Sequence, residues 1–296
     1  MIRSSIIIRG VRAFSNAPAI SDCGFDVTNR NFLITGGSQG LGLEISKKLK
    51  ENGASGIVMA ARSAGKGEES AKQLDGDGCR CRFVRADTSD PESVRALASE
   101  AASLMKGPIH GLVNAAASTA RGNLLTTTVD DWNMMLDINT RGPFLLTQEI
   151  SKHMIENNVR GSIVNITSNT ADGGAPFIMA YSVSKAALVC LTKNNAAELA
   201  RRGTGIRVNC VNMGWCYTEN EDKLQQSQNG GDPTWIDRAD AGIPLGRILR
   251  PGDVAATVGF LLSDSSAMMS GTCIELHPEY PKGMMSLALT DSDDGR

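Results

Sequence analysis

Residues 31–42 read NFLITGGSQGLG: a short apolar, β-rich run, a glycine-studded turn, and then the helical stretch LEISKKLKENG at 43–53. Glycines at 36, 40 and 42 let the backbone turn sharply. That turn brings a helix N-terminus against a pyrophosphate, whose charge the helix dipole and the unpaired first amides favour. The spacing G-xxx-G-x-G departs from the G-x-G-x-x-G of the longer-known dinucleotide fingerprint, so the strand–loop–helix context carries the reading. Gly36, Ser38, Gln39, Gly40, Leu41 and Gly42 are therefore candidate dinucleotide-binding positions.

Beyond this loop, β-rich runs alternate with longer helix-like stretches, the pattern of a parallel sheet covered on both faces. Strands are expected at NFLITG, SGIVMAA, CRFVRAD, HGLVNAA, GSIVNIT, IRVNCVN and GTCIEL, with helices starting near Leu41, Lys66, Pro91, Asp130, Ala180 and Asp253. The expected fold class is α/β, one doubly wound, Rossmann-type parallel sheet of about seven strands over residues 30–280. Residues 216–247 break the rhythm: they are polar, yet Trp235 and Leu224 lie within them and Trp215 just before. Such an insertion beyond the carboxyl ends of the strands reads as a substrate lid, or else as an ordinary surface loop.

Composition narrows the function. A formal net charge of −2, a sequence pI near 6.0 and the lack of a Lys/Arg tract argue against a nucleic-acid partner and suit a small-molecule substrate. Seven cysteines without a CxxC pair and three isolated histidines lead us to expect reduced thiols and no metal site. No apolar run approaches the roughly twenty residues of a membrane span. Residues 1–21 carry Arg3, Arg9 and Arg12, several serines and no acid, the composition of a mitochondrial transit peptide, with a processing-like cut after Phe14. The matrix is the expected location; the alternative is a cytoplasmic protein with a disordered extension. The tail 286–296, SLALTDSDDGR, is acidic and expected to fray.

Cofactor choice should be written at the end of the second strand, about twenty residues after the glycine loop, where an acid would hold the ribose hydroxyls. Here the stretch is MAARSAGK (59–66), with Ala61 at the acid's place. Arg62, Ser63 and Lys66 offer a cradle for a 2′-phosphate, so NADP(H) is expected over NAD(H). Farther on, YSVSK (181–185) sets Tyr181 and Lys185 four residues apart, on one helix face. A phenol with pKa near 10 needs help to trade its proton at neutral pH, and the Lys185 cation is expected to lower that pKa. Tyr181 would then be general acid or base, and the Ser168 hydroxyl would stabilise charge building on a carbonyl oxygen.

Taken in order and spacing, TGGSQGLG, Asp87, VNAAA at 113–117, Asn139, Ser168 and YSVSK resemble the classical short-chain dehydrogenases/reductases over about residues 30–276. The resemblance implies an oxidoreductase that interconverts a carbonyl and a secondary alcohol. It implies that Asn139, Ser168, Tyr181 and Lys185 form a catalytic tetrad. Lys185 would also hold the nicotinamide ribose, and Asn139 would kink its helix and position a water. By the same resemblance Asp87 contacts adenine, Asn114 fixes the central strand, and Gly214 and Thr218 contact the nicotinamide end. A homo-oligomer is implied too, the tetramer being the common form. The chain departs from the pattern at Ala115 and Ala117, at Met213, and after the last strand in IELHPEYPKG, which lacks the usual glycine pair.

Two substrate classes stay open. PLGRILRPGDVA (244–255) resembles reductases of 3-oxoacyl thioesters, whereas GWCYTENED (214–222) offers acids and hydroxyls to a sugar or polyol. A catalytically silent cofactor-binding or scaffold protein is the alternative function. Cys216, in the expected mouth, is either a redox-sensitive thiol or a packed one.

Overall fold

The computed structural model describes residues 24–279; the transit-peptide-like segment and the acidic tail lie outside the described residues. Seven strands, β1 (Asn31–Thr35), β2 (Gly56–Ala61), β3 (Arg80–Arg85), β4 (Gly111–Asn114), β5 (Ser162–Ser168), β6 (Arg207–Met213) and β7 (Cys273–Leu276), pair in parallel in the order β3-β2-β1-β4-β5-β6-β7. The doubly wound sheet is as expected. Every residue of β1 and β5 is buried, because helices cover both faces. Phe32 and Ile34 point into one core and Leu33 into the other, so alternation sorts a continuous apolar run onto two faces.

On the first face lie α1 (Gly40–Glu51), α2 (Ala64–Leu74) and, far along the chain, α10 (Pro251–Leu262). On the second lie α3 (Pro91–Leu104), α5 (Gly142–Glu156) and α7 (Met179–Arg201). The shorter α4 (Val129–Leu136) starts at Thr128, whose side chain and that of Asp131 cap one another reciprocally. It runs through a π-helical turn, Asp137–Arg141, straight into α5. A single turn, α6 (Thr170–Gly173), follows β5.

The polar segment after β6 is largely helical, with α8 (Glu219–Gln228) and α9 (Trp235–Ala241). Ion pairs tie it to the body: Arg250 to Asp240 at 2.5 Å, and Arg247 to both oxygens of Asp253 at 2.6 and 2.9 Å. Burial opposes ionisation of Asp253, but the Arg247 guanidinium and the Arg250 amide outweigh it and hold the carboxyl low.

The chain winds outward through β1, β2 and β3, then returns to place β4 on the other side of β1. That reversal opens a crevice beyond the strand ends. Thr35 holds its base: its hydroxyl accepts from the amides of Ala115 and Ala116, both at 3.1 Å. Ala117 needs no left-handed backbone, so its Cβ in place of the usual glycine is accommodated without strain.

Candidate active site

The crevice is a cavity of about 790 Å³, bordered by every catalytic and cofactor residue inferred from the sequence except Lys66 and the pair Asn114 and Asn139, which are buried behind its wall. At one end the glycine loop has Gly36 at φ +69 and Gly40 at φ +52, backbone regions that disfavour a side chain. A Cβ on Gly42 would collide with the Gly36 carbonyl. The first turn of α1 holds no acid, and Gln39 at its start makes no capping hydrogen bond. Its open amides therefore fit a pyrophosphate. Gly42→Ala is expected to weaken dinucleotide binding at least about tenfold and to cost roughly 1–3 kcal/mol of stability, the range for forced overpacking. Fluorescence titration and thermal melting read both; a variant that matches the parent would show that the close approach is dispensable.

Arg62 and Ser63 follow the end of β2, and Ser63 opens α2, another helix with no acid in its first turn and no side-chain cap. Asp87, at the end of β3, has its carboxyl held below the usual range, chiefly by Ser89 and with help from the Arg62 charge. Lys66 does not border the cavity; its charge acts on Glu219 of α8.

At the other end, β5 delivers Ser168 and the early part of α7 delivers Tyr181 and Lys185. The Ser168 hydroxyl accepts from the Thr170 amide at 3.2 Å and its hydroxyl at 3.1 Å, and lies close enough to the Tyr181 phenol to pull its pKa down. Lys185 is buried; its Nζ donates to the Ile166 carbonyl at 2.8 Å and stands 5.5 Å from the centre of the Tyr181 ring. The electrostatics correct the expectation about this pair. Burial pushes Tyr181 above its ordinary value against the pull of Ser168, while burial lowers Lys185 to about 8. The lysine Nζ is engaged by the Ile166 carbonyl, and burial, not the lysine charge, dominates the shift of the tyrosine.

Asn139 sits in the π turn, fully buried. Its Oδ1 accepts from the Ser118 amide at 2.8 Å, and its Nδ2 donates to the Ser118 carbonyl at 2.9 Å and to Ser184 Oγ at 3.0 Å. Ser184 in turn donates to the Tyr181 carbonyl at 2.7 Å. This side chain thus ties the loop after β4 to the helix that bears Tyr181. Asn114 donates to Asn165 Oδ1 at 2.8 Å, and Asn165 donates to Thr192 at 2.9 Å, a buried bridge from β4 through β5 to α7. Ser184, Asn165 and Thr192 were not singled out from the sequence; a lone Asn within the apolar run SIVNIT was the available signal.

Thr218 caps α8, its hydroxyl accepting from the Glu221 amide at 3.2 Å. Glu221 accepts from the Trp215 indole and Asp222 from the Trp235 indole, each at 2.8 Å. The two indoles lie 5.5 Å apart, with Tyr217 stacked 6.0 Å beyond. These two carboxylates organise the lid-like segment, and Glu221 also borders the cavity. After β7, where the sequence departs from its relatives' glycine pair, Glu279 accepts from the Trp215 amide at 2.8 Å and packs on Gly214. Cys216 is buried and its thiol is pushed up to about 12, so it stays protonated at neutral pH and reads as packing.

A half-buried tyrosine and a buried lysine at one end of a crevice whose other end is a glycine loop define an α/β oxidoreductase. A family model described as enoyl-(acyl carrier protein) reductase matches residues 36–276. The human (3R)-3-hydroxyacyl-CoA dehydrogenase is 31% identical over 82% of this chain and 92% of its own. The NADP-dependent (R)-specific alcohol dehydrogenase of Lentilactobacillus kefiri is 31% identical over 81% and 91%. A solved short chain dehydrogenase/reductase family protein superposes with a TM-score of 0.72 at 32% identity, covering 85% of this chain and 97% of that one. The chain belongs to the classical short-chain dehydrogenase/reductase family, whose members use a nicotinamide cofactor, and it is an enzyme.

Proposed function

We propose that this enzyme is an NADP(H)-dependent carbonyl reductase and secondary-alcohol dehydrogenase with Tyr181 as its acid and base. The observation that carries it is that Ser168, Tyr181 and Lys185 border one cavity, with the buried Lys185 Nζ 5.5 Å from the centre of the Tyr181 ring. The bound cofactor supplies a hydride to the carbonyl carbon. The Tyr181 hydroxyl gives its proton to the carbonyl oxygen, so the C=O double bond becomes a C–H and an O–H; oxidation runs the same steps backward. Ser168 donates to that oxygen as its charge grows, which stabilises the transition state more than the ground state. Asn139, through Ser184, holds the first turn of α7 at the angle this needs.

Arg62, Ser63 and the uncapped start of α2, together with Ala61 where an acid would stand, support NADP(H) over NAD(H). Among substrates, commitment of Glu221 and Asp222 to the lid indoles weighs against a polyol, and the exposed faces of Phe177 and Trp215 on the cavity favour a 3-oxoacyl thioester or similar ketone. NADPH oxidation at 340 nm with 3-oxoacyl thioesters, simple ketones and ketoses tests the reading. Turnover of the thioesters and ketones supports it. Inertness toward the whole panel, in both directions, would leave a silent cofactor-binding protein.

Lys185 also links this site to stability. Its folded pKa of about 8 lies below the ordinary 10.5, so between those values the unfolded chain binds more protons and the group's contribution to stability rises with pH. Below about pH 8 the full penalty of the buried charge is present. Lys185→Met, although expected to lose most activity, should therefore melt no lower than the parent at pH 7, and its relative advantage should shrink by pH 10. Paired thermal melts at the two pH values check this; a variant clearly less stable at pH 7 would mean that the bond to Ile166 outweighs the desolvation.

A further inference from the structure

We propose that the substrate carries an anionic group, a carboxylate or a phosphate, which Arg121 binds at the mouth of the cavity; this deepens the carbonyl-reductase reading and rests on it. Arg121 lies in the loop after β4 and borders the cavity. Its guanidinium stands 5.4 Å over the ring of Phe177, a neighbour in the cavity wall. The backbone is pinned alongside: the Gly122 amide donates to the Phe177 carbonyl at 3.0 Å and the Met179 amide to the Gly122 carbonyl at 3.1 Å, which closes a parallel bridge between Gly122 and Ile178. Two residues beyond Met179 comes Tyr181. The cation is thus registered against the reacting phenol by two backbone hydrogen bonds, and the aromatic ring under it limits its motion.

Charge around the cavity makes Arg121 the group open to an incoming anion. Arg62 and Asp87 belong to the β2 and β3 end, across the crevice from the tyrosine. Lys185 is buried against the Ile166 carbonyl. On the lid-like side Glu219 is paired with Lys223 at 2.5 Å, and Glu221 accepts from Trp215 and from Gln225. Arg121, exposed and bordering the β4 and β5 end, pairs with no carboxylate among the described residues. A guanidinium presents a planar fork that matches a carboxylate or phosphate with two hydrogen bonds, and stacking leaves that edge free. A sequence reading of the acidic stretch 214–222 pointed to a polar, neutral ligand; in the structure Glu219, Glu221 and Asp222 are each engaged by a neighbouring side chain, while Arg121 pairs with no carboxylate among the described residues.

The anion could sit on the ketone itself or on the carrier arm of a thioester, and paired substrates separate the two. One arm compares 4-oxopentanoate with its methyl ester; the other compares acetoacetyl-CoA with the uncharged acetoacetyl N-acetylcysteamine thioester. In at least one arm the parent should favour the charged member about tenfold or more in kcat/KM at low salt. Arg121→Gln should erase that preference by raising KM for the charged member alone, with kcat within about twofold and the neutral member unaffected; Arg121→Lys should restore part of it. Equal use of charged and neutral members by the parent, or an equal loss on both in Arg121→Gln, overturns the proposal while leaving the reductase reading in place. If none of the four is turned over, the wider panel of thioesters, ketones and ketoses decides the reductase reading. Calorimetric binding of 4-oxopentanoate and of CoA then decides the anion site: binding weakened about tenfold in Arg121→Gln upholds it, and equal or undetectable binding to both proteins ends it.

Discussion

Tyr181→Phe is expected to lower kcat by about a thousandfold, within the range attributed to a positioned general acid, while the dissociation constant for NADPH stays within about twofold. The substitution removes one oxygen. The ring keeps its place in the wall of the crevice, and Lys185 keeps its bond to the Ile166 carbonyl. Ser168 keeps the Thr170 amide and hydroxyl as partners, so the neighbouring hydroxyl is not set adrift. What disappears is the proton source that the nascent alkoxide needs. Steady-state NADPH oxidation and a fluorescence titration of the same preparation separate the two effects. A variant that retained a tenth or more of kcat would move the proton donor elsewhere, and one that lost cofactor binding in parallel would make the hydroxyl a binding group.

The raised phenol adds a pH signature. Because burial holds Tyr181 above its ordinary value and Lys185 sits near 8, the parent's reductase rate should not fall through loss of the phenolic proton anywhere below about pH 10. The lysine is the group that changes charge in the working range, and a sequence cannot show this. YSVSK puts a cation next to a phenol on paper; only the packing of α7 against β5 shows the ammonium buried and aimed at a carbonyl.

Other features divide along the same physical line. The inner strands β1, β2, β4 and β5 were legible because a strand buried on both faces is a mostly apolar run, whereas the edge strands β3 and β7 are only partly buried; the glycine loop was legible because backbone geometry itself selects glycine at Gly36 and Gly40. Asn139 could be picked out, yet the π turn around it and its two-sided grip on Ser118 and Ser184 depend on partners 21 and 45 residues away. The acids Glu221 and Asp222 were visible as charges, but their capture by the Trp215 and Trp235 indoles follows from how the chain folds back on both sides of α8. Residue type gives the chemistry available, and tertiary contacts decide which of it is already spoken for.

Cofactor choice is the place where one side chain should have a large effect. Ala61 ends β2 in register with Arg85 of β3 and is only partly buried, so an aspartate there can point into the crevice without disturbing the sheet. Ala61→Asp would set a carboxylate beside Arg62. It would compete for the guanidinium, repel a 2′-phosphate and accept hydrogen bonds from free ribose hydroxyls. Loss of one or two charge-assisted hydrogen bonds is worth about 1.5–3 kcal/mol each, so KM for NADPH should rise on the order of a hundredfold. KM for NADH should fall, since the new acceptor replaces nothing that NADH uses. Kinetics with both cofactors on one ketone give the ratio directly. If the parent already prefers NADH, or if Ala61→Asp leaves the ratio unmoved, Arg62 and Ser63 are not a phosphate cradle, and the uncapped start of α2 has no anion to hold.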